Sequence, residues 1–300
     1  MSEKDTIICG TDFSPLSREA ANVAAALARR REAKLIIAHV VEASGLNVSE
    51  PRVRDLLFEY YQEQLQREVE RLKGFDATAE SDLLTGAIDE SIVDLANRHS
   101  ARLVVVSSLG HRKHGRWLVG SVAERVAESS PIPTLVVRSA DPFTRWIKGE
   151  APLKVLIGVD LSDVDDSTLR WLKEWQGLGN CELIFTYVNW PPTEQRRLGT
   201  VENMPLTGNL PEVQENLENE LRRKLSDRLG HEDFKLHVEA NWGKVEPQLI
   251  HVANSEQVDL IVVGTHQRHG LGRFWHASVS RGLLHHAETS LVCVPLGPSE

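Results

Sequence analysis

Apolar residues along this chain follow two alternating patterns, and the alternation predicts the fold. The first is a short continuous run of β-formers. Thr6 to Gly10, Leu35 to Val40, Leu103 to Val106 and Thr134 to Arg138 read this way, as strands covered on both faces. Ala77 to Leu84 is a weaker strand, broken by Gly86. The second pattern has helical spacing. An Ala-rich stretch runs from Pro15 to about Arg31, with Ser14 as its N-cap and Pro15 at the first helical position, where a missing N–H costs nothing. Val53, Leu56, Leu57, Tyr60, Leu65, Val69 and Leu72 line one face of a long amphipathic helix. Ile88 to His99 and Ser121 to Ser129 are the remaining helices.

The same order then repeats. Val155 to Val159, Glu182 to Val188, Lys235 to Ala240, Leu260 to Val263 and Ser290 to Val294 are strands, separated by helices over Asp165 to Gln176, Val213 to Leu229 and Pro247 to Asn254 and one from Val279. Thr11-Asp12 recurs as Val159-Asp160 and His39-Val40 as Tyr187-Val188, both 148 residues later. Beyond that the offset is 157: Gly86 matches Gly243, Val106 matches Val263, and Gly120 matches Ala277. About nine residues are therefore inserted between Trp190 and Leu217, and the polar, proline-bearing stretch from Pro191 to Pro211 reads as a loop. A repeat of this length sets the domain count. We expect domains over residues 1–140 and 153–300, with 141–152 as a linker lacking a continuous apolar period. The fold class is α/β: two tandem Rossmann-like domains, each a five-stranded, mainly parallel sheet with helices on both faces.

Composition narrows the function. Lys and Arg number 34 against 43 acidic residues, a net charge of -9, which argues against a nucleic-acid partner held by bulk electrostatics. No apolar stretch approaches the roughly eighteen residues of a membrane span. The charged N-terminus runs straight into a strand, so no signal peptide is expected. Three cysteines, Cys9, Cys181 and Cys293, lie in or beside apolar β-forming runs and read as small buried side chains in the cytoplasm.

The candidate chemistry lies beyond the carboxyl ends of the strands, where parallel α/β sheets bind ligands. In the first half, Thr11-Asp12, Val40 and the loop from Ser107 to Ser121 all arrive there. Gly110 permits close backbone approach. Gly120-Ser121-Val122 opens a helix whose free N–H groups and dipole favour an anion. The Ser121 hydroxyl adds a donor, and Arg112, Lys113 and Arg116 add positive charge. A polyphosphate fits this set; a capped helix start beside a solvated basic loop is the other reading of the same residues.

The pattern resembles the universal stress protein family. Its nucleotide-binding members carry glycine, two residues, glycine, nine residues, then glycine with serine or threonine. Gly110 and Gly120-Ser121 keep that spacing, with Ser107 in place of the first glycine. Thr11-Asp12-Phe13-Ser14, His39-Val40, Gly86 and the closing Ser130 to Val137 sit in family order. The resemblance implies a tandem member with the adenine-nucleotide alpha-hydrolase-like fold, acting in a stress response by binding ATP, with or without Mg²⁺. It puts Asp12 on the nucleotide, Val40 near the adenosine, and Gly110, Gly120 and Ser121 on the phosphates. In the second half Asp160, Val188, Gly264 and Ser278 persist, but Gln267 and Ala277 replace glycines, which implies a degenerate site. Relatives pair through their last strands, so Thr134 to Arg138 and Ser290 to Val294 are expected to pair inside one chain as a pseudo-dimer; a homodimer of whole chains stays open.

Other candidates are weaker. His266 and His269 have a spacing that can chelate a metal, but no carboxylate or cysteine partner accompanies them, and a solvated loop accounts for them. Trp171 and Trp175 lie one helical turn apart and read as core or interface. No nucleophile–base pair, Walker lysine or carboxylate dyad appears. Three classes therefore stand: an ATP-binding regulator, a weak Mg²⁺-dependent ATPase with Asp12 as the metal-linked carboxylate, and a scaffold that binds no nucleotide.

Overall fold

A computed structural model of the chain describes residues 5–42, 51–109, 119–160, 166–199, 208–241, 243–266 and 276–296. The first half contains β1 (Thr6–Gly10), α1 (Pro15–Arg31), β2 (Lys34–Val41), α2 (Pro51–Leu72), β3 (Ala79–Thr85), α3 (Ile88–Arg98), β4 (Leu103–Ser107), α4 (Ser121–Ser129) and β5 (Thr134–Val137). A short helix α5 (Asp141–Ile147) follows. The second half contains β6 (Leu153–Val159), α6 (Asp166–Gln176), β7 (Cys181–Asn189), α7 (Pro191–Leu198), α8 (Pro211–Leu229), β8 (Lys235–Ala240), α9 (Glu246–Glu256), β9 (Leu260–His266), α10 (His276–His286) and β10 (Ser290–Leu296).

The apolar runs of the sequence become buried strands. Ile7, Ile8 and Cys9 of β1 and Val104 and Val105 of β4 are fully enclosed. Helix α1 starts where Ser14 Oγ accepts from Ser17 N, and it lays Ala20, Ala21, Ala24, Ala25 and Ala28 on the sheet. Those small side chains let the helix approach closely, with no β-branched run to stiffen it. Each half is a five-stranded parallel unit, and the units join edge to edge. The result is a ten-stranded sheet in the order β3-β2-β1-β4-β5-β10-β9-β6-β7-β8. Among the described residues only the junction is antiparallel, with Leu291 opposite Val136 and Cys293 opposite Thr134. An antiparallel junction between two parallel units sends their carboxyl ends to opposite edges of the sheet. The carboxyl edges of the two halves therefore look away from each other.

Two segments differ from expectation. The predicted linker holds helix α5, which buries Phe143 and Trp146. Seven residues show no apolar period, yet two large side chains three residues apart anchor one turn. Trp146 stacks on Trp175 at 5.4 Å, and Trp175 on Trp171 at 4.6 Å, so the expected core role of Trp171 and Trp175 extends to Trp146, in a core continuous across both halves. The predicted loop of the insertion holds helix α7. Pro191 and Pro192 open it and Gly199, at φ 74°, closes it, the usual proline-first, glycine-last order. Glu194 and Gln195 of α7 are buried.

The three cysteines are free thiols. Burial pushes Cys181 and Cys293 up to about 12 and Cys9 up as well, so none is a thiolate at neutral pH. Among the described residues no helix is long and apolar enough to cross a membrane, and no group of three or more metal-ligating side chains occurs.

Candidate nucleotide-binding edge of the first half

At the carboxyl end of β1 the chain turns sharply. Thr11 is buried and Asp12 half-buried. Thr11 N donates to Ala38 O at 2.9 Å, which keeps this end against β2. Thr11 Oγ1 accepts from Phe13 N at 3.0 Å, and Asp12 Oδ1 accepts from Ser14 N at 3.0 Å. These bonds hold Phe13 at φ 64°, a left-handed conformation that is an outlier for a bulky residue. The ring of Phe13 packs on His39 at 4.7 Å and stacks with Tyr61 of α2 at 6.3 Å. His39 lies 4.4 Å from Tyr61. Burial of the imidazole lowers its pKa, opposed by its hydrogen bond to Thr11 O and by the Asp12 charge.

Strand alternation divides these groups. Cys9, Leu35 and Ile37 pack in the core under α1 and α2, and Ile8, Ala38 and Val40 in the core under α3 and α4. Gly10 belongs to the second face, where a Cβ would meet Ile92 Cδ1 at 3.0 Å. Val40 is buried in β2 opposite Leu84 of β3. The aromatic cluster of Phe13, His39 and Tyr61 was not legible as such. In the sequence His39 stands out only as half of a repeated pair, and a positive φ at a phenylalanine has no compositional signal.

Strand β4 supplies the third part. Ser108 N donates to Val137 O, and Gly120 N donates to Ser108 O at 2.6 Å. The start of α4 is thereby tied to the end of β4, which itself pairs with β1. Gly120 is the N-cap of α4 and has no side chain with which to cap the helix. Ser14 caps α1 with its own hydroxyl, whereas the N-cap of α4 brings no side-chain acceptor of its own to the first-turn amides. Ser121 is exposed at the first helical position and Val122 half-buried. Ser107 Oγ folds back to donate to Leu109 O at 2.9 Å, so the residue in place of the motif's first glycine satisfies its hydroxyl locally. Gly110, Arg112, Lys113 and Arg116 lie outside the described residues.

The second half is built differently at the same level. Asp160 is exposed at the end of β6, Val188 half-buried in β7 and Gly264 half-buried in β9. Ser278 lies in the first turn of α10. Where the first half has His39, the second has Tyr187, whose hydroxyl donates to Glu194 Oε1 of α7 at 2.9 Å. Arg197 Nε binds the other oxygen of that carboxylate at 2.7 Å and Arg197 Nη1 reaches Glu220 of α8 at 2.8 Å. Asn189 and Asn209 exchange amide hydrogen bonds at 2.8 and 3.0 Å. The insertion thus seats a polar network on the carboxyl end of β7 that the described first half does not have. His266 ends β9, and Gln267 and His269 lie outside the described residues.

These features agree with comparison to known proteins. The sequence model of the Universal stress protein family matches residues 4–138 and again 153–295. A universal stress protein of Methanocaldococcus jannaschii is 33% identical over 137 residues, covering 44% of this chain and 81% of its own. One from Mycobacterium tuberculosis is 26% identical over 298 residues, 95% of each chain. The crystal structure of a universal stress protein from Archaeoglobus fulgidus superposes with a TM-score of 0.71 at 15% identity, over 98% of this chain and 100% of that one. The chain therefore belongs to the universal stress protein family and carries two copies of its domain in tandem.

Proposed function

We propose that the first half binds ATP and that the chain is a regulator whose state follows that binding. The observation that carries this reading is the start of α4: a glycine N-cap with no side-chain acceptor of its own, tied to the end of β4 beside the Asp12 turn. The residues fit the group. Amides of the first turn of α4 and the Ser121 hydroxyl are suited to phosphate oxygens, Asp12 is fixed by its own turn to meet the sugar or a phosphate-bound Mg²⁺, and Val40 offers an apolar wall for the base. Thr11 is a positioning residue beneath Asp12. The loop glycine Gly110 and Arg112 complete the set on sequence grounds.

In this reading the second half is the partner of the first in an internal pair, divided near residues 141–152, and it binds nucleotide weakly or not at all. Its insertion occupies the carboxyl edge with side chains that bind each other, and Ala277 replaces the N-cap glycine. The chain then works in the cytoplasm.

Calorimetric titration of MgATP into the wild type and Gly120→Trp tests the proposal. Gly120 has φ -71°, a backbone conformation that tryptophan also adopts. One ATP per chain, lost in the variant, supports the reading. No heat and no nucleotide released on denaturing the purified protein overturns it in favour of a scaffold. Phosphate release that needs Mg²⁺ and disappears in Asp12→Ala makes the chain an ATPase instead.

A further inference from the structure

Helices α4 and α10 pack against each other across the β5–β10 junction. The 157-residue offset that relates Gly120 to Ala277 also relates Glu124 to Arg281 and Glu128 to His285. Between these positions the two copies agree in kind: Val126 and Ala127 correspond to Leu283 and Leu284, and all four are buried. At the first of the two charged positions the copies are opposite in sign, and at the second a carboxylate is replaced by an imidazole, cationic only when protonated. Arg281 Nε and Nη2 each donate to Glu128 at 2.8 Å. Arg281 Nε also lies 3.0 Å from Glu124 Oε1, and His285 Nε2 lies 3.3 Å from Glu124 Oε2.

An antiparallel junction between two copies of one unit presents equivalent positions of each copy to the other, as in an isologous interface. A seam between two first halves would gather Glu124 and Glu128 from both sides, four carboxylates, with Arg138, whose guanidinium here donates to the Leu284 carbonyl of α10, as the cation each copy brings. A seam between two second halves would gather two arginines and two histidines. We propose that this sign change is a pairing code: the α4 surface of the first half is built to accept the α10 surface of a second half and to reject another copy of itself. The inference is independent of what the first half binds.

The chemistry favours specificity over raw stability as the role. The side chain of Arg281 is 55% exposed and that of Glu128 25%, so each pair adds modestly to folding. Discrimination is the difference between attraction in one pairing and repulsion in the others, and that difference exceeds the worth of any single pair. The apolar part of the seam, Val126 with Leu283 and Leu284, cannot discriminate, because both copies present similar surfaces.

The test uses the full chain with the two helices recoded. Glu124→Arg with Glu128→His gives α4 the code of α10, so the seam reproduces a meeting of two second halves. Arg281→Glu with His285→Glu reproduces a meeting of two first halves. All four substitutions together exchange the codes and restore opposite signs. At low salt, each half-recoded chain should melt about 2–4 °C or more below wild type, and the fully exchanged chain should return to within about 1 °C. High salt should shrink the gaps. A fully exchanged chain that melts as low as the two losses combined overturns the proposal, since the substitutions would then act singly and not across the seam. Half-recoded chains that melt with wild type overturn it too.

Discussion

His39 Nδ1 lies 2.8 Å from the Thr11 carbonyl oxygen, a bond that joins β2 to the end of β1 immediately before Asp12. A carbonyl only accepts, so the proton sits on Nδ1 and the neutral ring is the tautomer with Nε2 unprotonated.

Protonation of that ring is predicted to destabilise the fold. Burial lowers the His39 pKa from 6.5, so the unfolded chain takes up the proton before the folded one does. The sign follows from linkage: the stability is complete above the unfolded value and is lost as pH falls below 6.5 through the folded value. Melting curves between pH 7.5 and 5 should show a steeper decline for wild type than for His39→Gln. Equal slopes would mean that the ring is solvated and its bond to Thr11 incidental.

At Phe13 the usual order of glycine and alanine should invert. The residue has φ 64°, which costs a side-chain-bearing residue about 1–2 kcal/mol and glycine nothing. Both Phe13→Ala and Phe13→Gly lose the ring contacts with His39 and Tyr61, a loss of about 2 kcal/mol for a half-buried aromatic. Phe13→Gly is therefore expected to be the more stable by about 1 kcal/mol in urea denaturation. The reverse order would show that the turn relaxes to negative φ once the ring is gone.

The prediction at Phe13 also marks where sequence reading stops. Buried strands such as Leu103 to Ser107 announce themselves because a parallel sheet needs unbroken apolar runs, whereas the edge strands β3 and β8, half-exposed and mixed in polarity, were legible from the repeated strand–helix order. Asp12, Val40 and Gly120 could be brought to one edge because strand ends fix where loops meet. Helix α5 could not be seen, since its burial depends on Trp175 from a different element. Nothing in the local pattern relates Glu124 to Arg281; the β5–β10 junction places them face to face. Pattern reports local period; it does not report which distant side chain completes a contact.

Helix α5 should prove structural and not a passive connector. Trp146 is 1% exposed and stacked on Trp175, and a Cβ on Gly179 would stand 2.5 Å from Trp146 Nε1. Trp146→Ala is expected to cost about 3–5 kcal/mol. Gly179→Ala should destabilise by about 1–3 kcal/mol through overpacking, because the buried ring it meets is already stacked on Trp175. Thermal unfolding of the two variants checks both. A Gly179→Ala chain as stable as wild type would show that α5 shifts freely.

The network on the second half predicts a different response at Tyr187. Its hydroxyl serves the carboxylate of Glu194, which is 6% exposed and shared with Arg197. Burial and the adjacent Glu194 push the tyrosine pKa far up, so Tyr187 should stay protonated where exposed tyrosines ionise. Tyr187→Phe removes one of the donors to a buried carboxylate, at an expected cost of about 1–3 kcal/mol. Glu194→Gln keeps an acceptor for the tyrosine and takes the carboxylate charge from Arg197, which retains Glu220, so it should cost less than Tyr187→Phe if the hydroxyl is the tie that seats α7 on β7. Hydrogen exchange distinguishes the outcomes: amides of α7 should lose protection in Tyr187→Phe while those of α8 keep it. Loss of protection in both helices would mean that α7 and α8 open as one unit, and that the insertion is part of the second core instead of a cover over its carboxyl edge.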